Sequence, residues 1–234
     1  MTLRQEKILG KIVKEYIRTA HPVGSAFLEK KCKFGLSTAT IRNEMNSLSK
    51  EGYLSQLYTS SGRVPTAKGY RFFVDNFLLK NPENDFSIID DILENKKVLD
   101  IDIKMIEEII KKMALVSSNL VFAYLLEEDI FLASGWSAVL KNPEFEEKEF
   151  LEDFLCQFDI LEKEIKELFG EFEDFDVCIG KEKPFINFDN FSLIVSKNSL
   201  PNVYLGILGP SRMEYDKNIN LILKYEYGRN KKRA

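Results

Sequence analysis

Only three cysteines and a single histidine occur in 234 residues, and that scarcity removes several chemistries at once. Cys32, Cys156 and Cys178 are odd in number, widely spaced and never in a CxxC pair, which argues against a disulfide framework and a zinc site. His21 lies between Ala20 and Pro22 with no ligand-type neighbour, so a turn residue is expected rather than a catalytic or metal-binding one. No apolar run approaches the roughly 20 residues that a membrane-spanning helix needs. The opening run from Met1 to Lys7 lacks the apolar core of a signal peptide, and a cytoplasmic protein is expected. Walker loops, GxSxG elbows and metal-binding motifs are all missing. The acidic residues of 144–176 recur at helical spacing among apolar partners, the pattern of a solvated helix face rather than of a convergent acid–base set. Neither an enzyme nor a bound cofactor is expected.

What is present is a globular composition, 44% apolar with 18 Phe and 9 Tyr, in a chain long enough for one large domain or two small ones. The net charge of −4 hides an asymmetry. Residues 1–80 carry 14 Lys and Arg against 6 Asp and Glu, a balance of +8. Residues 81–234 carry the other 19 Lys and Arg against 31 Asp and Glu, a balance of −12. A basic module that meets a polyanion, joined to an acidic one that does not, accounts for this division.

In the basic part, Ile8, Leu9, Ile12, Val13, Tyr16 and Ile17 recur at helical spacing and predict a first helix ending near Thr19-Ala20, before the turn His21-Pro22-Val23-Gly24. Ser25 is expected to cap a short second helix, about Ala26 to Lys33, with Phe27 and Leu28 inward. After Phe34-Gly35-Leu36, Ser37 caps a third helix that runs to about Glu51 and stops at Gly52. A short strand at Tyr53–Leu57, the loop Tyr58–Arg63 and a return strand at Val64 follow, cut short by Pro65. Thr66 then caps a fourth helix carrying Tyr70, Phe73, Val74, Phe77 and Leu78. Three helices, a small hairpin and another helix are the plan of a winged helix-turn-helix.

Asn81-Pro82-Glu83-Asn84-Asp85 is the expected linker, and residues 81–115 read as linker and helical connection, with a break near Asp100–Asp102. Strands are predicted at Leu120–Leu126, Ile130–Ala133, Phe175–Ile179, Ser192–Val195 and Val203–Leu208. Pro143 is expected to open a long acidic helix with Phe150, Phe154, Phe158 and Leu161 on one side, and a last helix to follow from about Met213 to Tyr225. Residues 116–234 are therefore α/β or α+β, and the whole chain is α+β.

The third helix has a narrow apolar stripe, Ile41, Met45 and Leu48, and an opposite face of short polar, amide and guanidinium side chains that are poor choices for helix stability alone. Such a face suits a helix lying in the major groove of duplex DNA. There Arg42 can donate two hydrogen bonds to guanine, and Asn43 or Asn46 can pair with adenine. Ser37, Thr38 and Thr40 are candidates for phosphates or thymine methyls. The bland alternative is an Arg42 that is merely solvated or paired with Glu44 or Glu51. In the loop, Thr59 and Ser61 offer hydroxyls to phosphates, Gly62 permits a close approach, and Arg63 can enter a narrow minor groove. Lys68 and Arg71, opening the fourth helix, can reach the backbone. A homodimer is expected, because one small module buries too little surface for tight specificity.

Pro22-Val23-Gly24-Ser25, Leu36-Ser37-x-Ala39-Thr40-Ile41-Arg42-Asn43-x-Met45, Gly52-Tyr53-Leu54, Thr59-Ser60-Ser61-Gly62-Arg63-Val64-Pro65-Thr66 and Gly69-Tyr70-Arg71 together resemble the heat-inducible transcription repressor family called HrcA. Asn142-Pro143-Glu144-Phe145, Val177-Cys178-Ile179-Gly180 and the run Gly206–Tyr215 extend the resemblance into the second part. The resemblance implies a winged-helix domain (1–80) and a GAF-like regulatory and dimerising domain (116–234). It further implies a homodimer on an inverted-repeat operator upstream of chaperone genes, kept active by the chaperonin GroEL and released by heat. Members of that family carry an inserted dimerisation segment. Here the strand at Leu120–Leu126 is followed almost at once by Ile130-Phe131-Leu132, so a short form without that segment is expected. The alternative function is a ligand-gated transcription factor whose second domain, with Trp136 and its many Phe, senses a metabolite.

Overall fold

Thr2 starts the first helix with a reciprocal cap. Its hydroxyl accepts from the Gln5 N–H at 3.3 Å, while the Gln5 side chain accepts from the Thr2 N–H at 2.9 Å. The computed structural model describes residues 1–32, 35–58, 61–79, 102–182, 189–200 and 202–230, in two compact units, Met1–Pro82 and Glu83–Ala234. The expected linker at 81–85, the helical material of 86–101, and Thr59 lie outside the described residues, as does the basic tail beyond 230.

In the first unit, α1 (Leu3–Thr19) buries Ile8, Leu9, Ile12 and Val13 completely, the stripe its spacing predicts. It ends at Ala20, which turns left-handed at φ 55°. α2 (Ser25–Cys32) includes Ser25 in its first turn, where a cap before the helix was expected, and Leu28 donates to the Gly24 carbonyl at 3.2 Å. Of its two expected core residues only Leu28 is buried. Phe27 is 39% exposed, with the Lys31 ammonium 5.0 Å from its ring centre. α3 (Thr38–Lys50) has the expected Ser37 cap, and it buries Ile41, Met45 and Leu48. β1 (Leu54–Ser55) and β2 (Val64–Pro65) pair antiparallel over two residues each, because Pro65 has no N–H with which to extend the ladder. α4 (Ala67–Phe73) is capped by Thr66 and continues as a π-helical turn, Val74–Leu78.

In the second unit, α5 (Ile103–Ser117) begins at the Asp102 cap, where the sequence suggested a break, and is followed by β3 (Leu120–Leu125), β4 (Ile130–Ser134) and a single-turn helix, α6 (Trp136–Val139). Pro143 does not open the long helix. It opens a 3-10 turn, Pro143–Glu146, and α7 (Lys148–Gly170) starts after it. The reason is Phe145, whose ring enters the core and meets Phe150 and Phe154 at 5.0 Å each. β5 (Phe175–Ile179), β6 (Phe191–Leu200), β7 (Val203–Pro210) and α8 (Tyr215–Asn230) complete the unit. β6 outruns the expected Ser192–Val195 because its hairpin with β7 continues past an irregularity between Ser196 and Leu200.

The strands form one antiparallel sheet in the order β4-β3-β7-β6-β5. Alternation divides its side chains between two layers. Leu120, Phe122, Leu193, Val195 and Leu208 share a core with Phe154, Leu161 and Ile165 of α7. Val121, Ile194 and Ile207, aligned across three strands, point the other way, towards α5 and α8; there the Ser192 hydroxyl meets the Tyr215 phenol at 2.7 Å. Two segments of the Gly206–Tyr215 run acquire a structural reason. Gly206 lies under the Phe122 ring, 2.1 Å from where a Cβ would be, and Arg212 forms a two-pronged ion pair with Glu144 at 2.5 and 3.0 Å. The fold is α+β. Among the described residues, no helix is long and apolar enough to cross a membrane, and no group of three or more His, Cys, Asp or Glu is placed to hold a metal ion.

Candidate nucleic-acid interface

The outer face of α3 is built by the burial of its inner one. With Ile41, Met45 and Leu48 in the core, 3.6-residue geometry turns Arg42 and Asn43 outward, and both are exposed. Neither has a hydrogen bond or ion pair among the described residues. The carboxylates that might have held Arg42 are engaged elsewhere: Glu44 by Arg4 at 3.3 Å, and Glu51 by the Ser47 hydroxyl at 3.0 Å. Gln5 adds a 3.3 Å hydrogen bond to Ser47, so α1 steadies α3 from the side away from its exposed stripe.

At the helix N-terminus, Ser37 accepts from the Thr40 N–H at 3.2 Å, and its hydroxyl lies 2.9 Å from that of Thr40. Thr38 donates to Glu29 of α2. Ser37, Thr38 and Thr40 thus surround the positive end of the helix dipole, and Glu29 brings an acidic group there that the sequence reading did not single out. Nothing local points to it, since Glu29 and Thr38 meet only because α2 packs across α3.

The loop after β1 is closed by Ser61. Its N–H and hydroxyl both donate to the Tyr58 carbonyl, at 2.9 and 2.8 Å, and the hydroxyl also accepts from the Tyr58 N–H. Leu57 and Tyr58 stand out beside this turn, 63% and 65% exposed. Gly62 makes its close approach to the protein's own backbone. A Cβ there would lie 2.5 Å from the carbonyl carbon and oxygen of Val23. Its neighbour Arg63 exchanges two 2.9 Å backbone hydrogen bonds with Val23, which joins the α1–α2 turn to the loop. The Arg63 side chain lies along α3, where Nε donates to the Ser49 hydroxyl at 3.0 Å and an Nη donates to Asn46 Oδ1 at 2.7 Å.

Lys68 reaches back to the end of α3, donating to the Glu51 carbonyl at 2.8 Å with its ammonium 4.4 Å from the Tyr53 ring centre. Thr66 donates to the Gly52 carbonyl at 2.7 Å, so the start of α4 is pinned to the same place. Arg71 pairs with Asp75 at 3.3 Å. On the other side, Glu15 holds Arg18 and Lys31. The Arg18 hydrogen bond, helped by Lys31, keeps its carboxyl below the ordinary carboxylate range. That tie is therefore present at neutral pH and is lost only as pH falls through the lowered value. Beside Arg42, Lys30 and Lys50 of the first unit are exposed and have no ion pair among the described residues, as is true of Lys7, Lys11 and Lys14 along α1.

A family model described as the HrcA protein C-terminal domain matches residues 42–219 of the chain. The heat-inducible transcription repressor HrcA of Thermoanaerobacter pseudethanolicus is 44% identical over 117 residues, 50% of this chain and 32% of that protein. The repressor of the same name from Brevibacillus brevis is 56% identical over 75 residues, 32% of this chain and 22% of that protein. The matched segments thus span about a third or less of these relatives' own length. The crystal structure of a hypothetical protein, 18% identical, superposes with a TM-score of 0.73 over 97% of this chain and 98% of that one, which shows a shared fold.

Proposed function

The chain belongs to the HrcA family, and on that premise we propose that it is a dimeric, sequence-specific DNA-binding repressor of heat-shock genes rather than an enzyme. Residues 1–80 act as a winged-helix module, with α3 in the major groove and the loop 56–63 as its wing. Residues 116–234 act as a GAF-like regulatory and dimerising domain. The observation that carries the reading is the exposed, unpaired Arg42-Asn43 edge on a helix whose opposite face is fully committed to the core. Ser37, Thr38, Thr40, Ser61, Lys68 and Arg71 flank it as phosphate contacts, a role in which the last two would exchange protein partners for DNA. Thr59 is assigned to the same group by sequence alone. GroEL as a partner, an inverted-repeat operator and chaperone genes as targets come from the family resemblance.

Selection of bound sequences from a random duplex pool with purified protein tests the reading: a palindromic consensus is expected, and an unenriched pool would reject it. Arg42→Ala is expected to retain the fold and to lose about 1–3 kcal/mol of preference for the selected site over a scrambled duplex. Competition binding measures this, and an undiminished preference would remove Arg42 from base reading. Sedimentation is expected to show two chains on one operator. A single chain both free and bound would overturn the dimer.

A further inference from the structure

We infer that Arg63 is a positioning residue that sets the hydrogen-bonding sense of Asn46, so that α3 reads an acceptor on the base facing Asn46 and rejects cytosine. The inference rests on the DNA-reading role of α3 and specifies what that surface recognises.

A free asparagine is ambiguous, because its amide presents one acceptor and two donor hydrogens and can rotate to offer either. A guanidinium has no such freedom, since it only donates. With an Arg63 Nη 2.7 Å from Asn46 Oδ1, the amide oxygen is committed inward, towards the wing. Nε, donating to Ser49 at 3.0 Å, anchors the guanidinium at a second point on the same helix. The Arg63 backbone is in turn held by its two hydrogen bonds to Val23, so the group that orients Asn46 is itself located by the α1–α2 turn. Asn46 Nδ2 is what remains for a ligand.

Asn46 lies just over one helical turn beyond Arg42, about 6 Å along the axis, on the half-exposed shoulder of the same outward stripe. In the major groove a donor at that place is satisfied by guanine O6 or N7, adenine N7 or thymine O4. It meets only the N4 amine of cytosine, a second donor. Arg63 occupies one of the two lone pairs of Oδ1 and so fixes the plane of the amide, which leaves the donor Nδ2 to set the discrimination. The interface thus holds a one-sided discrimination at this base, broad among acceptors and closed to cytosine.

The test is competition binding of the full chain to a panel of duplexes in which each base pair of the selected site is varied in turn. It is run for the unsubstituted protein, Asn46→Ala, Asn46→Asp and Arg63→Ala, with thermal melting of each. Asn46→Ala locates the base pair concerned as the one whose preference it abolishes. At that pair the unsubstituted protein is expected to bind the cytosine duplex about 10-fold more weakly than the others. Arg63→Ala is expected to shrink that penalty to about 2-fold, because the freed amide can also turn its oxygen towards the cytosine N4 amine. Asn46→Asp, still held by Arg63 but presenting an oxygen outward, is expected to turn the cytosine penalty into a preference. A purely structural role for Arg63 would lower melting temperature and all affinities together without changing the order of bases at one pair. An unchanged cytosine penalty in Arg63→Ala overturns the inference. So does an Asn46→Asp profile without a gain at cytosine, or an Asn46→Ala profile equal to that of the unsubstituted protein. Failure of the unsubstituted protein to prefer any duplex would instead overturn the DNA-binding reading on which it stands.

Discussion

Gly62→Ala is expected to lower the stability of the first unit by about 3 kcal/mol, while Gly24→Ala, in the segment it abuts, changes stability by less than about 0.5 kcal/mol. The contrast is steric. A methyl group on Gly62 would lie 2.5 Å from the Val23 carbonyl carbon and oxygen and 2.8 Å from the Pro22 carbonyl carbon. All three are backbone atoms and cannot rotate away. The same group on Gly24 meets nothing within 4 Å. Relief of the clash moves the loop away from the α1–α2 turn and breaks the paired Val23–Arg63 hydrogen bonds, each contributing about 0.5–1.5 kcal/mol. Arg63 then leaves Asn46 and Ser49. Duplex affinity is expected to fall with stability in Gly62→Ala and in neither respect in Gly24→Ala. Urea unfolding followed by circular dichroism measures the first quantity and fluorescence anisotropy the second. Equal unfolding midpoints for the two variants would show that the loop is not seated on that turn.

Phe154→Ala carries the largest expected loss in the second unit, about 3–5 kcal/mol, against less than about 0.5 kcal/mol for its exposed neighbour Leu155→Ala. Phe154 is completely buried on α7 and meets Phe145 at 5.0 Å, Phe191 at 5.3 Å and Trp136 at 6.1 Å, all close to edge-on. These partners belong to the 3-10 turn, to β6 and to α6, so one ring links three separate segments to the long helix. Its removal leaves a cavity that rigid neighbouring rings cannot fill. The Trp136 fluorescence reports the change directly, and a variant melting like the unsubstituted protein would show that α7 is held by other contacts.

The two substitutions also separate what was readable in the letters from what was not. Phe154 lies on a stripe at helical spacing, and its burial follows from period alone. The clash at Gly62 does not. Glycine in a loop suggested freedom to turn or to approach a ligand, whereas the structure shows the protein's own Val23 filling the space. Ser37 and Thr66 were recognisable as caps because the amides they satisfy are three residues away. Phe27 read as a core residue, since apolar character was its only visible property, yet with Leu28 buried beside it the neighbouring helix position is turned outward. Pro143 had the right residue type to open a helix, but Phe145 was better satisfied among the aromatic rings than on a helix surface.

Sequence alone determined the α+β class, the order of helices and strands, and the outward edge at Arg42 and Asn43. Helical period, capping and strand alternation act over a few residues and leave their signature in adjacent letters. Tertiary structure decided the partners of each long polar side chain: Arg63 on Asn46 and Ser49, Lys68 on the Glu51 carbonyl, Glu29 on Thr38. A guanidinium or ammonium on a flexible stem donates to any acceptor within reach. Which acceptor that is depends on where the backbone brings residues 9 to 17 positions apart together.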